Sequence, residues 1–273
     1  MSIKRIPYIA GILAATLLIA CGDDSSSNAS GNDDEKELTS SSSSLSTKSK
    51  SSSSSLEDSE RTESKEMFLN PEIAYDSIID RRDGKVYKII RIGKQTWMAQ
   101  NLNYSDSVAT PSLIGKSWCY DDDPDNCTLY GRLYTWAAAM DSVNNDCGYG
   151  VKNSPVGKVQ GICPSGWHVP SETEWNELFS AVGGSRTAGS KLMSRKGWDD
   201  NENDDKFGFS SAPAGNRHNT GLFYGEGSFA EYWSSTVSSS YTAYHMDHGL
   251  SSAGASLNSL TKLYGFYIRC VKD

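Results

Sequence analysis

From Gly22 to Glu66 the chain runs as serine tracts broken by single charges, "ELTSSSSSLSTKSKSSSSSLEDSERTESKE", with almost no large apolar side chain. Ordering a backbone costs about 1–2 kcal/mol per residue, and a segment with nothing to bury cannot offset that, so it is expected to stay disordered. Whatever folds must come from residues 67–273, about 200 residues, enough for one well-cored domain. The tract holds 11 acidic and 5 basic residues of a chain whose net charge is −8, so the acidity lies mainly outside the foldable part. What remains is still mildly acidic and has no basic stripe, which argues against a nucleic-acid partner. As a flexible coil of about 45 residues the tract would span roughly 35–40 Å end to end, enough to hold a domain clear of a surface.

Ahead of the tract, Lys4 and Arg5 precede an apolar run that is short for a membrane span and ends in small residues. That is the pattern of a secretory signal peptide over residues 1–20. Leu18, Ile19, Ala20 and Cys21 resemble the lipobox of bacterial lipoproteins. The resemblance implies cleavage before Cys21, lipidation of that cysteine, and attachment to the membrane through acyl chains, with residues 21–66 as lipidated cysteine and tether. Several acyl chains anchor stably where one does not. Gly22 in place of aspartate points to the outer membrane, with the domain at the cell surface or on the periplasmic face.

Within residues 67–273 the periodicity is mixed. Val86–Ile92 is rich in strand formers, "IGKQ" turns the chain, and "TWMAQNL" returns, which predicts a hairpin. Leu133, Trp136, Ala137 and Met140 fall at i, i+3, i+4 and i+7 and predict a helix over 130–142. Ser171 and Glu174 form S-x-x-E, a capping box, before Trp175, Leu178, Phe179 and Val182, which share one helical face; Gly183 and Gly184 stop that helix. After Ser190 short aromatic strands alternate with turns, so the sheet is expected to be antiparallel and to come largely from the C-terminal half. Trp97, Trp136, Trp167, Trp175 and Trp233 are the expected core tryptophans.

With Cys21 lipidated, Cys119, Cys127, Cys147, Cys163 and Cys270 remain, an odd number for an oxidising compartment. The turn-rich "YDDDPDN" can bring Cys119 and Cys127 together. Cys163 with Cys270 is the next pairing, leaving Cys147 unpaired; Cys147 with Cys163 competes. No C-x-x-C spacing occurs, which argues against a zinc cluster or a thioredoxin-type pair.

In order along the chain, "DRRDGKVYKIIRIGKQTWMAQNLNY", "YGRLYTWAAAMD", "GICPSGWHVPSETEWNELFSAVGG", "FGFSSAPAG", "EYWSST" and "YGFYIRCVKD" resemble motifs of the Fibrobacter succinogenes major paralogous domain, a family of cell-surface lipoproteins without an established function. One departure is "VKNS" after "CGYG", where members often carry a second cysteine, so Cys147 has no local partner. More distantly, "GWHVPSETEW", "WSST" and "YGFYIRC" resemble elements of the formylglycine-generating, sulfatase-modifying fold and its relative, the C-type lectin fold. That likeness implies an α+β domain with two helices, a small twisted antiparallel sheet and long loops that carry function, although a fold does not confer an activity. The cysteine pair of the formylglycine-generating enzymes is missing, as are the E-P-N, Q-P-D and W-N-D motifs of calcium-bridging lectins.

The remaining candidates are loop residues. Asp199, Asn201, Asn203 and Asp205 alternate in "WDDNENDDKFG" and offer oxygen ligands of the kind calcium prefers; Asp121, Asp122, Asp123 and Asp125 form a second acidic loop. His245, Asp247 and His248 could ligate a transition metal, but strand alternation puts His248 on the opposite face. His168 with Glu172 or Glu174 could be a base or a metal ligand, against a structural role. Trp118, Tyr120, Tyr224, Tyr241 and Tyr244 sit in or near loops, where rings can stack on sugar faces. Together these features predict a non-enzymatic binding or adhesion module for polysaccharide or envelope components. The alternatives are an enzyme of altered chemistry, gathering His218, Arg217 and Glu231 in a pocket, and a structural envelope protein.

Overall fold

The computed structural model describes residues 66–151, 155–199 and 203–273, all within the unit Lys50–Asp273. The signal peptide, Cys21 and the tether up to residue 65 lie outside the described residues. The fold is α+β and carries its strands in two five-stranded sheets and one small pair.

In chain order the strands are β1 (Asp76–Ile79), β2 (Val86–Ile92), β3 (Gln95–Met98), β4 (Ser117–Trp118), β5 (Leu133–Tyr134), β6 (Trp167–His168), β7 (Ala214–Arg217), β8 (Phe223–Glu226), β9 (Phe229–Val237), β10 (Thr242–Gly249), β11 (Ala255–Thr261) and β12 (Val271–Lys272). The first sheet runs β1-β2-β3-β12-β6 and the second β11-β10-β9-β7-β8, while β4 pairs with β5. The expected hairpin is β2–β3, with Ile92 opposite Gln95 and a two-residue turn through Gly93 at φ +60°. The second sheet comes wholly from the C-terminal half, as expected, whereas the first draws three of its five strands, β1, β2 and β3, from the N-terminal part and joins them to the C-terminal β12.

Five α-helices are present among the described residues, not two: α1 (Pro124–Tyr130), α2 (Trp136–Ala139), α3 (Ser142–Asn145), α4 (Glu172–Ala181) and α5 (Ser185–Leu192). The helix expected over 130–142 is cut short. Gly131 turns the chain at φ +83°, packed so closely on Asn101 that a Cβ would stand 2.8 Å from the Asn101 Cβ. Leu133 and Tyr134 then run extended against Ser117 and Trp118. Helical geometry resumes only after Thr135, whose side chain accepts from the Ala138 N–H. Leu133, Trp136 and Met140 are buried, but the sheet rather than a helical face accounts for Leu133.

Helix α4 follows its sequence signals closely. Ser171 and Glu174 form the reciprocal capping box, and the helix ends in a Schellman motif, in which the Gly184 N–H bonds the Phe179 carbonyl and the Gly183 N–H bonds that of Ser180. The buried face packs Trp175 on Trp97, with ring centroids 4.8 Å apart, beside Phe209. All five expected core tryptophans are buried. The C-terminal "YIRC" supplies a polar pin: fully buried Arg269 donates to the Asn101 Oδ1 at 2.6 Å, the Ser210 carbonyl at 2.9 Å, and the Met98 and Phe209 carbonyls. Disulfides join Cys119 to Cys127 and Cys163 to Cys270, and Cys147 is a buried free thiol.

Candidate functional site: a polar row across the second sheet

Strand register assembles this site. Asp247 on β10 lies opposite Glu231 on β9, and His245 lies opposite Trp233 on β9 and Asn258 on β11. The parallel contact of Gly215 with Ala230 places Asn216 on β7 beside Glu231, and Asn216 lies opposite Tyr224 on β8. Because side chains alternate across a sheet, Asp247, Glu231, Asn216 and Tyr224 share one face, and Asn258, opposite His245 and diagonal to Asp247, extends the row to the fifth strand. The residues between them, Ala230, Tyr232, Met246, His248 and Ala255, point into the core on the other face.

The row is internally bonded. The Asn258 Nδ2 donates to the Asp247 Oδ1 at 2.7 Å, and the Asn216 Nδ2 donates to the Glu231 Oε2. The His245 Nε2 sits 3.5 Å from the Glu231 Oε1 and 4.0 Å from the Asp247 Oδ1. The His245 side chain is only 4% exposed, against 13% for Glu231 and 32% for Asp247, and its Nδ1 has no partner. No lysine or arginine pairs with either carboxylate among the described residues. Like charges opposite each other in an antiparallel pair repel. Burial raises the Asp247 carboxyl above the ordinary carboxylate range; Asn258 and His245 oppose this, and Glu231 adds to it.

Aromatic rings floor and flank the row. His245 packs on Phe266 at 4.8 Å and Phe266 on Tyr264 at 5.6 Å. His218 stands edge-on to Tyr264 at 4.8 Å and to Tyr224 at 5.9 Å. The Tyr224 ring, 48% exposed, closes the row at the β8 edge. The result is a face rich in acceptors with an exposed aromatic end, suited to holding a ligand through its donors and its C–H faces.

The five loop aromatics expected to bind ligand separate. Tyr224 belongs to the row. Trp118 is half-buried, with the Arg217 guanidinium 3.9 Å above its ring, and Tyr120 is buried against Phe223 at 5.3 Å, so it packs rather than binds. Tyr244 is half-buried. Tyr241, 55% exposed, pairs edge-on with Tyr149 at 5.1 Å.

The described residues of the calcium set, Asp199, Asn203 and Asp205, face different surroundings. Asp205 is buried, with its Oδ1 and Oδ2 taken by the Ser210 N–H and hydroxyl at 2.9 and 2.7 Å; burial pushes its carboxyl up to about 7 against those bonds. The Asn203 Nδ2 is buried without a partner, Asp199 lies against Gly227 and Ser228, and Asn201 lies outside the described residues. Among the described residues no group of three His, Cys, Asp or Glu side chains is arranged to hold a metal ion. His248 is on the inner face, as strand alternation predicts, bonded to the Ser211 Oγ at 2.7 Å. Burial, with Arg269 nearby, pushes its pKa down to about 3.

His168 is a structural bridge. Its Nδ1 meets the Asp273 Oδ1 at 2.6 Å and its Nε2 the Glu174 Oε1 at 2.7 Å, tying the start of α4 to the C-terminus. Burial alone would raise the Glu174 carboxyl, but hydrogen bonds from His168 and from the Ser171 N–H and hydroxyl prevail and hold it at about 2. The three residues expected to share an enzyme pocket face different partners: Arg217 covers Trp118, the His218 Nδ1 is 2.7 Å from the Thr220 Oγ1, and Glu231 faces Asn216 and His245. Sequence reading singled out His245, Asp247 and Glu231, the last in a different grouping, but missed Asn216 and Asn258.

No curated protein and no solved structure matches the chain. The model of the Fibrobacter succinogenes major domain matches residues 90–272, from the middle of β2 through β12, about two thirds of the chain. It encloses both glycine turns that shape the fold, the capping box of α4, the Cys163–Cys270 bridge and every residue of the row, and on that match the chain belongs to the Fibrobacter succinogenes major domain family.

Proposed function

We propose that the domain is a non-enzymatic binding module, displayed on a lipid anchor at Cys21 and a serine-rich tether from the outer membrane, and that its ligand is a polysaccharide of a cell wall or envelope. The observation that carries this reading is the row itself. Five strands align Asn258, Asp247, Glu231, Asn216 and Tyr224 on one face, and the exposed Tyr224 ring stands where a pyranose could stack. Each spacing between strands is about 4.8 Å, so the row spans about 19 Å, the reach of a few sugar units of an extended polymer. The anchor and the spacer serve the same end, because a surface-held module needs length to meet an insoluble ligand.

The test is retention of the full-length chain on a panel of insoluble plant-wall and envelope polysaccharides. At least one should retain the protein. Tyr224→Ala should weaken that retention by up to about tenfold, since a ring contact contributes about 0.5–1.5 kcal/mol beyond area burial. Absence of retention on every polymer, or full retention by the variant, would refute the reading.

A further inference from the structure

We infer that the row recognises primary ammonium groups, and that its ligand is therefore an amino-sugar polymer carrying free amines. This inference rests on the binding-module reading and narrows it. Each amide of the row turns an N–H onto a neighbouring carboxylate, Asn258 onto Asp247 and Asn216 onto Glu231, and the Asn216 Oδ1 is left buried without a partner. At the centre of the row the unspent atoms are mainly acceptor oxygens, those of Asp247, Glu231 and Asn216. A neutral sugar hydroxyl is donor and acceptor at once and needs donors in return, whereas an ammonium carries three donors and no acceptor.

Charge points the same way. Asp247 and Glu231 are directly opposite on neighbouring strands, an arrangement that costs stability unless a cation lies between them, and among the described residues the only basic side chain that reaches them is the His245 imidazole, from below, with no lysine or arginine. An independent observation comes from His245. Its side chain is 96% buried, its Nδ1 has no partner, and its Nε2 is aimed between the two carboxylates at 3.5 and 4.0 Å. A buried nitrogen left unpaired costs about 1–3 kcal/mol, a cost that makes sense if the ring is held there to floor a ligand site. Tyr264, His218 and Tyr224 extend an aromatic edge from this point, and ring faces attract cations. The length of the row over five strands favours a polymer over a single flexible lysyl side chain.

The experiment compares retention of the full-length chain on a glucosamine polymer with retention on the same polymer after complete N-acetylation, which removes the charge and keeps the sugar. Poly-lysine at equal charge is the third arm. Asp247→Asn and Glu231→Gln keep shape and remove charge; Asp122→Asn, exposed at the end of the 3-10 turn Tyr120–Asp122 and not a member of the row, removes one charge elsewhere. The expected result is at least tenfold weaker binding on N-acetylation and in each row variant, little change in Asp122→Asn, and weaker binding to poly-lysine than to the glucosamine polymer. Matching unfolding curves show that the variants still fold. Equal binding of both polymers, unchanged binding by a folded Asp247→Asn and Glu231→Gln pair, an equal loss in Asp122→Asn, or poly-lysine binding as tightly as the amino sugar would each overturn the inference. Retention indifferent to acetylation defeats this inference alone, whereas no retention on any polysaccharide defeats the binding-module reading as well.

Discussion

The two disulfides should differ sharply in what they contribute, because they close loops of very different length. Cys163 and Cys270 are 107 residues apart, and Cys119 and Cys127 are 8 apart. If a bridge acts mainly by restricting the unfolded chain, the loop-closure relation gives about 4.8 kcal/mol for the long loop and about 2.5 kcal/mol for the short one at 25 °C. Position reinforces the order: Cys163 and Cys270 are both fully buried in the core cluster that holds Trp136 and Trp233, whereas Cys119 is half-buried and Cys127, though buried, belongs to neither core cluster. The perturbation is to replace each pair by alanine and to measure guanidinium unfolding of both variants against the parent chain under oxidising conditions. Loss of the Cys163–Cys270 pair should lower stability by about 4–5 kcal/mol, a large share of the roughly 5–15 kcal/mol that holds a domain folded. The Cys119–Cys127 variant should lose about half as much. Equal losses, or a larger loss for the short loop, would refute the chain-entropy reasoning and show that packing in the folded state outweighs loop length.

Gly131→Ala should destabilise by about 2 kcal/mol or more, since its φ of +83° and its contact with Asn101 both exclude a Cβ; thermal unfolding measures it. Glu174→Gln should matter only where the carboxylate is ionised. The folded-state pKa of about 2 lies below the ordinary 4.5, so the contribution of Glu174 is present above pH 4.5 and lost as pH falls towards 2. The full shift corresponds to about 3.4 kcal/mol, and the side chain's 20% exposure reduces that to roughly 1–3 kcal/mol. Urea unfolding of parent and variant at pH 7 and at pH 2.5 should show the gap narrowing. Calcium should not move the unfolding midpoint, because Asp205 faces the interior; occupancy at a hundred times Kd would add about 2.7 kcal/mol, a shift a calorimeter cannot miss.

Features governed by neighbours in sequence were legible: the β2–β3 turn, the capping box and glycine stop of α4, and the alternation that parts His245 and Asp247 from His248. The first helix was not, because the apolar spacing of Leu133, Trp136, Ala137 and Met140 fits a helix equally well until Gly131 meets Asn101, some thirty residues earlier. The row was hidden for a related reason. At the turn end of the β9–β10 hairpin Ala243 faces Val237, and continuing that register one for one would put Trp233 opposite Asp247. Instead the register shifts between Ala243 and His245, and Glu231 arrives opposite Asp247. The residues set aside by the shift are held by the chain far upstream: the Ser235 N–H donates to the Pro170 carbonyl, the Thr236 Oγ1 accepts from the Glu172 N–H, and the Ser234 carbonyl accepts from the Trp136 indole. Pro170 and Glu172 flank Ser171, the capping residue of α4. The segment "HVPSETEW", whose histidine and glutamates suggest chemistry, therefore acts on the candidate site indirectly: it holds two of the three residues of β9 that leave the ladder, Trp136 holds the third, and the shift sets two carboxylates face to face.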